Sequence, residues 1–237
     1  TGDLLSYVHH MTDKPIDVIL THGHCDHAGG AAKFDRVYLS EEDWDLVKHH
    51  ASESMRMAYV KDNLNTAGKT DELIQFNKAD IVPSRNKPYI PLNDGQIFDL
   101  GGVVLKAISV PGHTHGMTCI LNITDRSILF GDACNTMVFL WGEESTTVAE
   151  YKKSLQKLQK HKNEYDTVYL SHGDEIAPKG LLENVISVCD DLLNGKTDSQ
   201  PYQFMTWKVK MAKKTNPDFS RIDGKFGNIV YVDEKLK

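Results

Sequence analysis

Thr21-His22-Gly23-His24-Cys25-Asp26-His27 directly follows the apolar run Ile16-Asp17-Val18-Ile19-Leu20. That run is strand-sized and comes after Pro15, so a β-strand ends at Thr21 and releases the chain into a tight turn at Gly23. On such a turn His22 and His24 converge on one cation, while Asp26 and His27 point at a second. Neutral imidazole and carboxylate are ligands that Zn²⁺ prefers and that Fe²⁺ or Mn²⁺ accept. A lone His-x-His reads as a solvated loop. The full His-x-His-x-Asp-His behind a buried strand reads as a metal site.

Three later segments repeat the same design, a strand ending in a ligand-type residue with glycine beside it. Val103 to Val110 runs into Pro111-Gly112-His113-Thr114-His115-Gly116, Ser127 to Phe130 into Gly131-Asp132, and Thr167 to Leu170 into Ser171-His172-Gly173-Asp174. One His or Asp at a strand end is usually a turn residue. The shared placement is what points to loops gathered at one place on a rigid scaffold.

The rest of the chain supplies that scaffold. Asp3 is placed to cap a short helix over residues 3–11, with apolar groups at Leu4, Val8 and Met11. Arg36 to Leu39 reads as a strand, and Ser40-Glu41-Glu42-Asp43 as the cap of a helix running to about His50. His49 and His50 then complement that helix's C-terminal dipole. Residues 51–80 read as an inserted helical segment, broken at Ala67-Gly68, that can cover the site. Ile97 to Leu100, Val103 to Val110, Thr118 to Ile123 and Ser127 to Phe130 form an antiparallel meander. Helices over about 147–161 and 178–194, a strand from Thr167 to Leu170 and a last strand from Gly227 to Val232 follow. Tyr202 to Met211 alternates as one further strand. Asn135 to Gly142 is an apolar run read as core or as an apolar wall of the pocket. No repeat or low-complexity linker interrupts the chain, so residues 1–237 read as a single α/β domain.

Composition narrows the partners. With 33 acidic and 27 basic residues the net charge is −6, which argues against nucleic acid or an acidic membrane as the main partner. Lys208, Lys210, Lys213 and Lys214 read as a solvated face. The longest apolar runs are strand-sized, so no membrane span is expected. Cys25, Cys119, Cys134 and Cys189 show neither a CxxC pair nor a disulfide-framework spacing, which suits a reducing, cytoplasmic compartment.

His-x-His-x-Asp-His, then Pro-Gly-His-Thr, then Gly-Asp, then Ser-His-Gly after a strand resembles the metallo-β-lactamase superfamily in motif and in order. The resemblance runs from residue 1 to about 195. It implies the four-layer αβ/βα sandwich with a two-metal site along one edge. It also implies two preceding strands ending in Asp-Thr-Gly, of which Thr1-Gly2 would be the remainder, so the chain is expected to begin just past them. Carried over by position, His22, His24 and His113 are the ligands of a first metal. Asp26, His27 and His172 serve a second, and Asp132 bridges both. His115 falls outside this set, Cys25 takes no metal role, and Cys134 lines the site without ligating.

The function implied is a hydrolase in which a dinuclear centre, zinc by default with iron or manganese as options, activates hydroxide for attack on a small-molecule ester, thioester or lactone. Asp26 and Asp132 are its catalytic carboxylates. Asp132 as bridging ligand resembles the glyoxalase II branch, because true β-lactamases lack it. The superfamily's nucleases carry added domains or a basic arm, and the flavodiiron branch replaces the second His of the motif with Glu. The alternatives are β-lactamase or phosphodiesterase activity on the same site, or a metal-binding module without catalysis.

Overall fold

Three strands in parallel register carry the first ligand loop. In the computed structural model, which describes residues 2–173, 175–204 and 207–237, β1 (Asp17–Ile19) pairs with β2 (Arg36–Leu39), and β2 with β3 (Ile90–Pro91). The chain divides into two compact units, Thr1–Leu92 and Asn93–Lys237.

In the first unit α1 (Leu4–His9) starts at Asp3, whose carboxylate accepts from the Ser6 amide as expected. After β1 come α2 (Cys25–Ala28), then β2, α3 (Trp44–His50), α4 (Glu53–Thr66) and α5 (Thr70–Gln75). The last two fall in the segment read as a helical insertion. Leu20, Ala28, Phe34, Val37, Leu39 and Val47 form this unit's core; Val37 and Leu39 fix β2 in it, and the partly buried Val18 packs β1 against it. Arg56 on α4 is buried too. It donates to the carbonyls of Ala51, Gly29 and Val82, satisfying its charge-bearing group with backbone acceptors and tying α4 to the end of α2.

In the second unit the meander forms as expected. β4 (Ile97–Asp99), β5 (Val104–Ser109), β6 (Thr118–Asn122) and β7 (Ser127–Leu129) pair antiparallel in that order. After β8 (Met137–Leu140) and α6 (Val148–Gln159), β9 (Thr167–Tyr169) joins β7 in parallel. β5 and β7 are each antiparallel to β6, so they share a direction, and β9 shares it too. The C-terminal ends of all three therefore lie on one edge of the sheet. Thr147 and Glu150 close a capping box at the start of α6. α7 (Leu181–Leu193) begins later than Pro178, and the Thr147 box and the Leu155, Leu158, Val185 and Val188 side chains fix both helices against the common core.

A second sheet runs β10 (Gln200–Phe204), β11 (Trp207–Met211), β12 (Asn228–Tyr231), β8. The single strand expected over Tyr202 to Met211 is instead a hairpin, with Gln200–Phe204 antiparallel to Trp207–Met211. Paired residues such as Tyr202 and Val209 share a face, so the inward positions change from even to odd between the arms, and residues 205 and 206 of the expected strand lie outside the described residues. Asn135 to Gly142 follows its core reading: Val138 and Leu140 join the main core, while Met137, Phe139 and Trp141 pack against Val209, Met211 and Val230. Lys210 pairs with Asp233 and Lys213 with Asp191, which accounts for those two lysines as surface ion pairs. Among the described residues no helix is long and apolar enough to cross a membrane.

Candidate metal centre

The turn after β1 is shaped by a buried carboxylate. The amide of Gly23 donates to Asp43 Oδ2 at 2.9 Å, and Asp43 is 1 % exposed. A Cβ at position 23 would lie 3.1 Å from both the Asp43 carbonyl oxygen and the Val47 nitrogen, so the close approach requires glycine. Asp43 was expected to belong to a helix cap. Asp43 does stand at the N-cap of α3, after the 3₁₀ turn Glu41–Asp43, but its side chain makes no capping bond and accepts from the Gly23 amide instead. A buried acceptor needs a donor, and the Gly23 amide supplies one.

On this loop the imidazoles gather. His22 meets His24 edge-on with ring centroids 4.8 Å apart, and His27 with centroids 4.1 Å apart. Asp26 Oδ2 lies 3.5 Å from His27 Nε2. The pairs His22–His24, His22–His27 and Asp26–His27 each bring ligand-type atoms within 4.8 Å. His50, read from sequence as a helix-end residue, also packs its ring on His24 at 4.8 Å. Tyr59 of α4 donates to Asp26 Oδ2 at 3.2 Å. Burial and the adjacent Asp26 carboxylate push the Tyr59 phenol well above its ordinary range, so it stays a donor. Neither Asp43 nor Tyr59 carries a sequence signal for these roles. Both reach the loop across tertiary contacts.

The second unit brings together His113, Asp132 and His172, one from each of the aligned strand ends. Asp132 is 6 % exposed, with Oδ2 at 3.6 Å from His113 Nε2 and 3.3 Å from His172 Nε2. Gly131, at φ 55°, turns the chain between β7 and this carboxylate in a conformation that favours glycine. His113 Nδ1 donates to the Phe139 carbonyl at 2.9 Å, which fixes the tautomer and leaves Nε2 as the lone-pair nitrogen. Tyr151 of α6 connects the two loops. Its hydroxyl donates to the Ala133 carbonyl at 2.7 Å, and its ring lies so close to Gly112 that a Cβ there would fall 2.2 Å from Cδ2.

His115 is exposed and joins none of the metal-capable groups among the described residues. Cys134 is a correction. It is fully buried in the apolar core rather than lining the site, and burial pushes its thiol well up. Cys25 lies between ligands, but burial and the Asp26 carboxylate push its thiol up to about 11, so it is neutral.

The chain is similar to several known proteins. The human protein "Acyl-coenzyme A thioesterase MBLAC2" is 30 % identical over 118 residues, which cover 49 % of this chain and 40 % of that one. The "Probable polyketide biosynthesis zinc-dependent hydrolase BaeB" of Bacillus velezensis is 23 % identical over 172 residues, 71 % of this chain and 61 % of that one. The chain thus matches less than two thirds of either relative's length. Among solved structures, the metallo-beta-lactamase from Pontibacter korlensis shares the fold with a TM-score of 0.53 at 17 % identity, covering 79 % of this chain and 75 % of that one. The sequence profile of the metallo-beta-lactamase superfamily matches residues 5–172, a span that begins before β1 and closes on His172. On that match and the shared mixed α/β fold, this chain belongs to the metallo-beta-lactamase superfamily.

Proposed function

We propose that the two ligand sets act as one dinuclear centre and that the protein is a metal-dependent hydrolase of acyl thioesters, in the manner of the glyoxalase II branch. His22, His24 and His113 would hold one ion, Asp26, His27 and His172 a second, and Asp132 would be shared between them. The observation that carries this reading is Asp132, a buried carboxylate with an imidazole nitrogen on either side at 3.6 and 3.3 Å. A buried carboxylate is costly unless its charge is matched, and cations held by neutral imidazoles match it. The donor set of imidazole and carboxylate fits zinc, and it admits iron or manganese. Bound there, such ions supply Lewis acidity toward the acyl carbonyl oxygen and a lowered pKa for water.

The chain's own residues do the rest. Asp26, steadied by the Tyr59 hydroxyl, orients the attacking water and accepts its hydrogen bond. Asp43 holds the turn that aims His22 and His24. The Phe139 carbonyl keeps Nε2 of His113 free for ligation. In the reaction the water oxygen bonds to the acyl carbon as Asp26 takes one of its protons, the carbon–sulfur bond breaks, that proton passes to the leaving sulfur to give the thiol, and the other proton stays with the carboxylic acid product. Thioesters are favoured among acyl compounds because the human relative is named as an acyl-coenzyme A thioesterase. The net charge of −6 supports a small-molecule substrate over nucleic acid.

The test is a hydrolysis screen of zinc-loaded protein against thioesters, lactones, phosphodiesters and β-lactams. Turnover of thioesters above the other classes is expected. Preference for a phosphodiester or a β-lactam overturns the reading.

A further inference from the structure

The sheet β10–β11–β12–β8 has an apolar face that the metal chemistry does not use. Phe139 and Trp141 come from β8 and its end, while Phe204 and Trp207 come from the far hairpin. In strand order β8 and β10 are opposite edges, yet the ring centroids of Phe139 and Phe204 are 4.8 Å apart, and those of Trp141 and Phe204 5.2 Å. A flat sheet would hold edge strands three spacings of about 4.8 Å apart. The sheet therefore curls.

The pairing shows how. β11 pairs with β12 only at Lys210 and Met211, whereas β10 and β11 pair along their whole length. The outer half of the hairpin leaves the sheet and meets β8 and its end through aromatic contacts. Trp207 reaches Trp141 at 5.7 Å and remains 64 % exposed. Phe219 extends the surface by meeting Tyr202 edge-on at 6.0 Å, and it does so at φ 66° while 52 % exposed. An aromatic residue held in the left-handed region and shown to solvent is strained without a burial gain.

One residue links this surface to the candidate ligands. Phe139 contributes its ring to the cluster and its carbonyl to His113. We propose that the aromatic face of the hairpin and β8 is the subsite for the apolar acyl chain of the substrate, an inference that rests on the thioesterase reading for the reaction but not for the binding. Aromatic rings offer flat apolar area at little conformational cost, and each methylene that leaves water adds to affinity.

The experiment compares acetyl and decanoyl thioesters of N-acetylcysteamine with zinc-loaded protein, and titrates decanoate against tryptophan fluorescence. For the parent protein, kcat/KM is expected to rise about a hundredfold from the acetyl to the decanoyl compound. In Trp207→Ala and in Phe204→Ala that ratio falls at least about tenfold, and decanoate binding weakens by a similar factor. Phe226→Ala, an exposed aromatic outside the cluster, keeps the parent ratio. Two variants guard against one failing to fold, and far-UV circular dichroism checks each. If no thioester is turned over but decanoate binds and the two variants weaken it, the subsite stands and only the reaction is wrong. An unchanged ratio and unchanged decanoate binding in both folded variants overturn the proposal. A concentration-dependent dimer in sedimentation that Trp207→Ala abolishes also overturns it, since a second copy then covers the face.

Discussion

The Tyr59 hydroxyl donates to Asp26 Oδ2 at 3.2 Å, so a helix of the segment between β2 and β3 holds a candidate metal ligand directly. Arg56, one turn earlier, anchors that same helix to the carbonyl of Gly29, just past the ligand loop. Residues on α4 thus fix both the loop's end and one of its carboxylates. Tyr59→Phe removes the donor and keeps the ring. We predict about tenfold weaker affinity for the more weakly held metal, with the circular dichroism spectrum unchanged. Competition titration with a zinc-sensitive dye measures it, and parent-like affinity would mean that Asp26 is oriented without Tyr59.

Asp132 separates ligation from mere nearness. Asp132→Ala removes the carboxylate that lies beside both His113 and His172, and should disturb both metals and abolish most hydrolysis while the protein stays folded. His115→Ala, in the loop that carries His113, changes an exposed side chain and should reduce activity far less. Metal analysis and thioester turnover of the two variants side by side provide the comparison.

Gly112 and Tyr151 are a packing pair. Gly112→Ala drives a methyl into the Tyr151 ring, with 2.2 Å to Cδ2, in a core without room to yield. Overpacking of this kind costs about 1–3 kcal/mol. Tyr151→Phe leaves the Ala133 carbonyl without its buried donor, at about 1–3 kcal/mol. Urea denaturation of both variants checks these values, and a midpoint equal to the parent's in either would contradict the packing described.

The thiols give a reading of the fold itself. Cys25, Cys119, Cys134 and Cys189 are all buried and unbridged. Burial pushes the Cys189 thiol up to about 12 and raises the others as well. Raised values mean that little thiolate exists at pH 8, and burial blocks access to it. A colorimetric thiol reagent at that pH should react slowly with native protein and rapidly once guanidinium is added.

How much of this was legible in the sequence follows from what each signal depends on. The ligand residues are local punctuation after buried strands, so His22 through His27, His113, Asp132 and His172 can be read in order. The meander follows equally from alternation and its glycine turns. The supports of the site depend on contacts between distant elements. Asp43 looked like one acid among several ahead of a helix, and only burial shows that it serves Gly23, twenty positions earlier. Tyr59 sat in a polar helix with no mark of its role. The hairpin at Gln200–Met211 shows in the sequence only as a slip of phase, since the face-sharing residues are Tyr202 and Phe204 on one arm but Trp207, Val209 and Met211 on the other. Cys134 followed Asp132 closely enough to suggest a place in the site, but the chain direction after the 3₁₀ turn Gly131–Ala133 sends it into the core.

The central claim is that the loop after β1 and the strand ends of the second unit serve the same ions, and coupled metal content tests it most directly. Zinc per chain is measured for the parent, His24→Ala, His113→Ala and the double variant, each purified without chelator. We predict two ions in the parent, one lost in either single variant, and no further loss in the double, because both histidines serve one ion. Losses that add, or a parent that holds one ion or none, would contradict the account.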